Sequence, residues 1–106
     1  MRLGTVIGRV TLTLKEPVYS AGSLLIVQPF TREQFAAAAR AMPKDTPKAP
    51  LAPGSSLVVF DELGANVGSI IGFTEGAEAS QPFEGDAPVD AYSACLVDQI
   101  DYQPLR

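Results

Sequence analysis

The sequence predicts an all-β fold, a small closed barrel of five strands carrying one helical insertion. Three observations predict it: five short apolar runs rich in β-formers, glycines placed within or beside those runs, and a single alanine-rich stretch between the second run and the third. With 106 residues the chain fits one domain, taken as residues 1–106, with residues 31–54 as an excursion inside it. At this size folding buries only about 60 to 70% of the surface the unfolded chain exposes. The hydrophobic content of 46% is high for so small a chain. It fits either apolar surface meant for a partner or an ordinary compact β-rich core.

The first strand is read in "GRVTLTL", where apolar and polar residues alternate from Val10 to Leu14, with Gly4 and Gly8 on one face. "EPVYSAG" follows as a turn broken by Pro17 and Gly22, and "SLLIVQPF" as a second strand ending near Pro29. In "TREQFAAAARAM", Thr31 and Gln34 have the spacing of a capping box, the alanines favour helix, and Pro43 stops it. Prolines 43, 47, 50 and 53 and Gly54 then make a stiff, solvated connection. "SSLVVFDELGAN" is the third strand with a turn at Gly64 to Asn66. "VGSIIGFTEG" is the fourth, with Gly68 and Gly72 on one face. "AEASQPFEGDAP" is a loop, and "VDAYSACLVDQIDY" is the last strand, bending at Asp98. Five short strands with glycines placed for curvature describe an OB-like barrel.

Gly64, Gly68, Gly72 and Gly76 recur at every fourth position. On a helix this spacing would make a membrane dimer face, but Asp61, Glu62, Asn66 and Glu75 surround too few apolar residues. Each internal glycine would also cost such a helix about 1 kcal/mol. The glycines therefore belong to strands and turns. No stretch approaches the roughly 20 apolar residues that span a bilayer, and Arg9 with three threonines interrupts the signal-like start. No membrane partner is expected.

Chemistry is sparse. The chain has no histidine and one cysteine, which excludes every zinc pattern. It contains neither a GxxxxGK phosphate loop nor a GxGxxG turn. Asp61 with Glu62, and Asp98 with Asp101, could in principle bind a hard cation, but neither resembles a dense oxygen-ligand loop. No enzyme, cofactor or metal is expected. Cys95, in apolar surroundings, reads as a buried inert thiol, which fits a reducing cytoplasmic setting. Residues 1–53 hold seven bases against three acids, and residues 54–106 hold Arg106 against nine acids, within a net charge of −4. That acidic balance argues against phosphate-backbone binding, so no nucleic-acid partner is expected. The alternative function is an OB-fold module for single-stranded nucleic acid, with Phe35 between Arg32 and Arg40 as its one aromatic in a basic cluster. The asymmetry is either incidental or complementary between neighbouring copies.

"VVFDELGANVGSIIGFTEG" resembles the "AvDxvGAGxGexVlxxxGs" core of the vertex proteins of bacterial microcompartments, the family of the ethanolamine-compartment and carboxysome pentamers. "MRLGTVIGRVTLTLKEP", followed by "SLLIVQP", is similar to that family's opening, and "APVDAYSACLVDQID" to its close. The resemblance leaves out mainly residues 31–54 and about 77–86. Asn66 replaces the family's second turn glycine, and is a residue that tolerates a left-handed backbone. Gly76, Ala77, Glu78 and Ala79 stand where the family has a serine-rich run ending in arginine, so no role of that arginine carries over. Residues 31–54 are longer than the family pattern.

The resemblance implies a cytoplasmic shell protein, a cyclic homopentamer capping the vertices of a polyhedral shell whose faces are built from hexameric shell proteins. Asp61, Gly64, Ala65, Asn66, Gly68 and Gly72 are then the expected subunit interface or axial turn. Gly68 and Gly72 serve either close approach of neighbouring copies or curvature of the single barrel.

Overall fold

The computed structural model describes residues 1–32, 35, 55–85 and 87–101. Strands β1 (Arg2–Val10), β2 (Ser23–Pro29), β3 (Leu57–Asp61), β4 (Ile70–Glu75) and β5 (Ala91–Leu96) close into a barrel in the order β1-β2-β3-β5-β4. All pairings are antiparallel except β3 with β5, which meet in parallel at Phe60 and Tyr92. The all-β barrel of five strands predicted above is thus the observed architecture. Most of the helix expected from residue 31, the Gln34 cap and the proline-rich run to Gly54 lie outside the described residues. Arg32 and Phe35 are helical, the Phe35 amide donates to the Thr31 carbonyl at 3.2 Å, and the Phe35 ring meets Phe30 edge-on at 5.2 Å.

The barrel interior is filled by Val6, Leu25, Val27, Val59, Ile71 and Phe73, with Ala65 and Ala91 at its margins. These come from alternate positions of β2 and from all four other strands or their flanks, the period-two arithmetic of a sheet with one buried face. A second cluster outside the barrel joins Phe60 to Val18, Tyr19, Phe83, Val89 and Tyr92. It is held by edge and tilted ring contacts of 5.4 to 6.3 Å. The segments that supply it include two 3-10 helices, Pro17–Ala21 and Gly76–Ser80, where the sequence predicts plain loops.

Three strand boundaries differ from expectation. The alternating run from Val10 to Leu14 is not strand: β1 ends at Val10, whose partner Leu24 sits one residue inside the start of β2. Beyond it the ladder to β2 is not continued, and alternation without a partner makes no strand. β4 begins only at Ile70, so Gly68 lies in a turn and does not share a strand face with Gly72. β5 stops at Leu96, before the expected bend at Asp98, where the Val97 amide turns to the Ile70 carbonyl.

Gly4 and Gly8 do not share a face either. The β1–β2 register steps from Val6↔Val27 to Gly8↔Ile26, leaving Ile7 as an extra residue. Such a bulge reverses the inside–outside alternation beyond it. A Cβ on Gly4 would lie 2.6 Å from Val27 Cγ1 and 3.2 Å from Phe73, inside the barrel. One on Gly8 would meet Ile26, on the outer side.

Candidate functional site

The six residues singled out from the sequence lie on the connection from β3 to β4 and its continuation into β4. Asp61 ends β3 and is 2% exposed. Its Oδ2 accepts hydrogen bonds from the Gly64 and Ala65 amides, each at 2.9 Å. One carboxylate oxygen therefore closes the chain reversal and seats Ala65 in the core, an Asx-type cap on the backbone. The other oxygen, Oδ1, is buried without a partner among the described residues. Gly64 has φ +85°, and a Cβ there would meet nothing within 4 Å, so conformation and not space selects glycine.

Asn66 to Ser69 form the second half. The Ser69 amide donates to the Asn66 carbonyl at 2.9 Å, and Ser69 Oγ accepts from the Asn66 amide at 3.1 Å. Gly68, at the third position of this four-residue turn, has φ +98°, a conformation that selects glycine. Its amide donates to the Val6 carbonyl at 2.8 Å, while the Val6 amide donates to the Ser69 carbonyl at 2.9 Å, so the turn is laced to β1. Asn66 needs no left-handed backbone: among the described residues only glycines have positive φ. The turn survives at Asn66 because its amide and carbonyl, and not its torsion, carry the contacts. Gly68→Val is expected to cost about 2 kcal/mol through positive-φ strain on a β-branched residue, read as a lowered midpoint in urea unfolding. An unchanged midpoint would show that the turn relaxes without cost.

The turn is braced from β5. Tyr92 Oη donates to Glu62 Oε1 at 2.7 Å. That hydrogen bond first, then burial and the negative charges of Glu62 and Asp61, raise the Tyr92 phenol above its ordinary pKa. The two carboxylates thus have separate tasks, Asp61 on backbone amides and Glu62 on a phenol, which is not the arrangement of a shared cation site. Between these anchors the connection presents Leu63 and Val67 to solvent, Val67 at 64%. The connection thus sets exposed apolar side chains on a hydrogen-bonded backbone and offers no nucleophile–base pair.

Gly72 stands apart on β4, paired with Leu3 and Cys95. A Cβ there would lie 2.6 Å from Cys95 Sγ, 2.9 Å from Met1 Sδ and 3.3 Å from Leu3 Cδ2. The close approach at Gly72 is therefore made by side chains of its own chain.

The aromatics needed for single-strand stacking are otherwise engaged. Tyr19, Phe60, Phe83 and Tyr92 pack on one another, Tyr19 Oη donates to the Pro88 carbonyl, and Phe35 packs on Phe30. Sequence reasoning missed Gly22, where a Cβ would collide with the Asp61 carbonyl oxygen and lie 2.8 Å from Phe60 Cζ. The only signal was a glycine just before an apolar run, which reads equally as an ordinary turn breaker.

The chain is similar to known proteins along most of its length. The model of the family described as ethanolamine utilisation protein EutN/carboxysome matches residues 1–98. The chain is similar to the GrpN pentameric microcompartment shell protein of Rhodospirillum rubrum, at 30% identity over 97% of this chain and 100% of that one, with a TM-score of 0.71. It is similar to the pentameric shell protein MSM0273 of the RMM microcompartment, at 26% identity over 92% of this chain and 100% of that one, TM-score 0.63. CcmL of Gloeobacter violaceus shares the fold at 23% identity, over 96% and 90% of the two chains, TM-score 0.72. No curated protein matches.

Proposed function

The chain belongs to the family of the ethanolamine utilisation protein EutN and the carboxysome proteins related to it, and from that premise we propose that it is a structural shell protein whose pentamers cap the vertices of a bacterial microcompartment. The observation that carries this reading is the likeness, along essentially the whole of both chains, to a pentameric microcompartment shell protein. A flat sheet of sixfold tiles encloses no volume without fivefold points, and a dedicated pentamer supplies them. Its partners are four further copies of itself and the hexameric shell proteins of the same compartment, in the cytoplasm, and it catalyses no reaction.

Within the pentamer, the turn carrying Asp61, Gly64, Ala65, Asn66 and Gly68 is the axial or subunit-contacting element. The support for this is a backbone pinned at both ends, by Asp61 Oδ2 and by Val6, beneath exposed Leu63 and Val67. Gly72 lies on a neighbouring wall of the barrel, and residues 31–54 are an insertion in the one domain.

Native mass spectrometry of the purified chain tests the reading. A species of five chains at micromolar concentration is expected, weakening as salt rises if charge complementarity contributes. A monomer or dimer alone would overturn it.

A further inference from the structure

A ring joins each copy to the next through two different patches, one on each flank of the subunit. Besides Leu63 and Val67 on the β3–β4 turn, the described surface carries two further apolar patches on different walls of the barrel. The first follows β1. Past Val10 the chain has no ladder partner, yet it holds Leu12 and Leu14 to solvent, Leu14 at 91% exposure. Leu12 also borders a groove with Tyr19, Leu24, Val58 and Val89 over β2 and β3. The second patch is the outer face of β5, β4 and β1. There Met1, Leu3 and Cys95 surround the bare backbone of Gly72, with Ala94 exposed beside them and Met1 76% exposed. The strand order β1-β2-β3-β5-β4 sets the β2–β3 groove and the β5–β4 face on separate walls.

The rims differ in charge. Arg9 and Lys15 flank the leucine segment and line a hollow with Leu12, Tyr19 and Leu24, while the acids nearby are Glu16 beside Lys15 and Asp90 in the groove over β2 and β3. Asp98 and Asp101 follow the end of β5 on the other wall. Among the described residues the ion pair is Arg2 with Glu75 at 2.9 Å, and none of these four charges pairs with another described charge. The bases beside the leucine segment and the acids beyond β5 favour the meeting of these two walls.

We propose that the Leu12–Leu14 segment of one copy packs on the next copy's outer face at Met1, Leu3, Gly72 and Cys95, with Arg9 and Lys15 toward that copy's Asp98 and Asp101. This rests on the pentameric reading above and assigns the contact that builds it. Gly72 gains a second role here: without a side chain, its strand lets a neighbour's leucine lie close to the sheet once the flexible Met1 side chain moves aside. Cys95, the chain's single thiol, is half-buried where the sequence reads a buried one, and it comes to lie beside the neighbour's segment.

The test uses that thiol. Leu12→Cys and Leu14→Cys are made separately in the full chain with Cys95 retained, and the assembled protein is oxidised mildly. Non-reducing gels are expected to show, for at least one of the two, a ladder of covalent species reaching five chains. A chain with one thiol bridges at most two copies, so the unsubstituted protein and either variant combined with Cys95→Ser should stop at dimers. Five-chain assemblies by native mass spectrometry with no ladder from either variant would overturn this contact and leave the pentamer standing. If the unsubstituted chain forms no pentamer, the shell reading fails and this contact with it. Leu14→Asp is the independent check. It should keep the barrel's far-ultraviolet dichroism while weakening assembly at least about tenfold, as loss of a central apolar contact does. Assembly at the unsubstituted concentration dependence would count against the contact.

Discussion

Asp61→Ala is expected to destabilise the folded chain by about 3 kcal/mol, the cost of leaving two buried-side amides without an acceptor at about 1–3 kcal/mol each. The Gly64 and Ala65 amides both depend on Asp61 Oδ2 at 2.9 Å, and water cannot easily replace a side chain that is 2% exposed. The loss is partly offset, because Oδ1 is already buried without a partner and its burial cost disappears with the side chain. Asp61→Asn keeps an oxygen in place and gives up only the charge on the acceptor, roughly half the strength of such bonds. It should therefore fall between the parent and the alanine variant. Urea unfolding of the three chains measures the series. An alanine variant within about 0.5 kcal/mol of the parent, the range of ordinary surface substitutions, would show that the carboxylate does not hold the turn. Since the turn is the proposed axial or subunit-contacting element, Asp61→Ala should also shift native mass spectra from five chains toward one, under conditions where the barrel remains folded.

Gly22→Ala is the second large effect, expected at about 2 to 3 kcal/mol, the usual range for overpacking a site that cannot yield. The added methyl would meet the carbonyl oxygen of Asp61 and lie 2.8 Å from Phe60 Cζ. A backbone oxygen cannot rotate away, and this one belongs to the residue opposite Ser23 at the first β2–β3 pair. Relief therefore opens that pair or tilts Phe60 out of contact with Tyr19, Phe83 and Tyr92. Gly72→Ala is the control. Its methyl meets the thioether of Met1, a flexible side chain, along with Cys95 Sγ at 2.6 Å, so a cost of about 1 kcal/mol, the low end of the same range, is expected. Thermal melting of both variants decides the comparison. If Gly22→Ala melted with the parent, the rigidity assigned to the start of β2 would be wrong.

Much of the architecture was readable before any coordinates. "SLLIVQPF" and "SSLVVF" are runs of β-branched and large apolar residues between proline and glycine breakers, and each produced a strand close to its expected limits. The turn at Gly64 was also readable, since glycine there is demanded by a positive φ that few residues adopt. "VTLTL" misled because alternation records what a strand would look like and not whether a partner is present. Gly68 misled for a related reason: a glycine spaced evenly with Gly72 reads as a shared face until a turn intervenes. Of the candidate site, the sequence pointed to the stretch from Asp61 to Gly72 through resemblance. It did not reveal that one oxygen of Asp61 holds two amides, because that depends on the chain doubling back within three and four residues.

By itself, then, the sequence determined the class, the count of strands and the poverty of catalytic groups. Those follow from composition and from local preferences that each segment carries wherever it lies. Only the tertiary structure decided where β1 ends, which glycine faces the core, and what Gly22 and Gly72 approach. Ile7 and Ala94 are the physical reason for part of this. The register steps over each of them, between Val6 and Gly8 against β2 and between Cys95 and Ser93 against β4. An extra residue in a ladder exchanges inside for outside along the rest of the strand, and the need for it is set by strands distant in the chain, where no local pattern reaches.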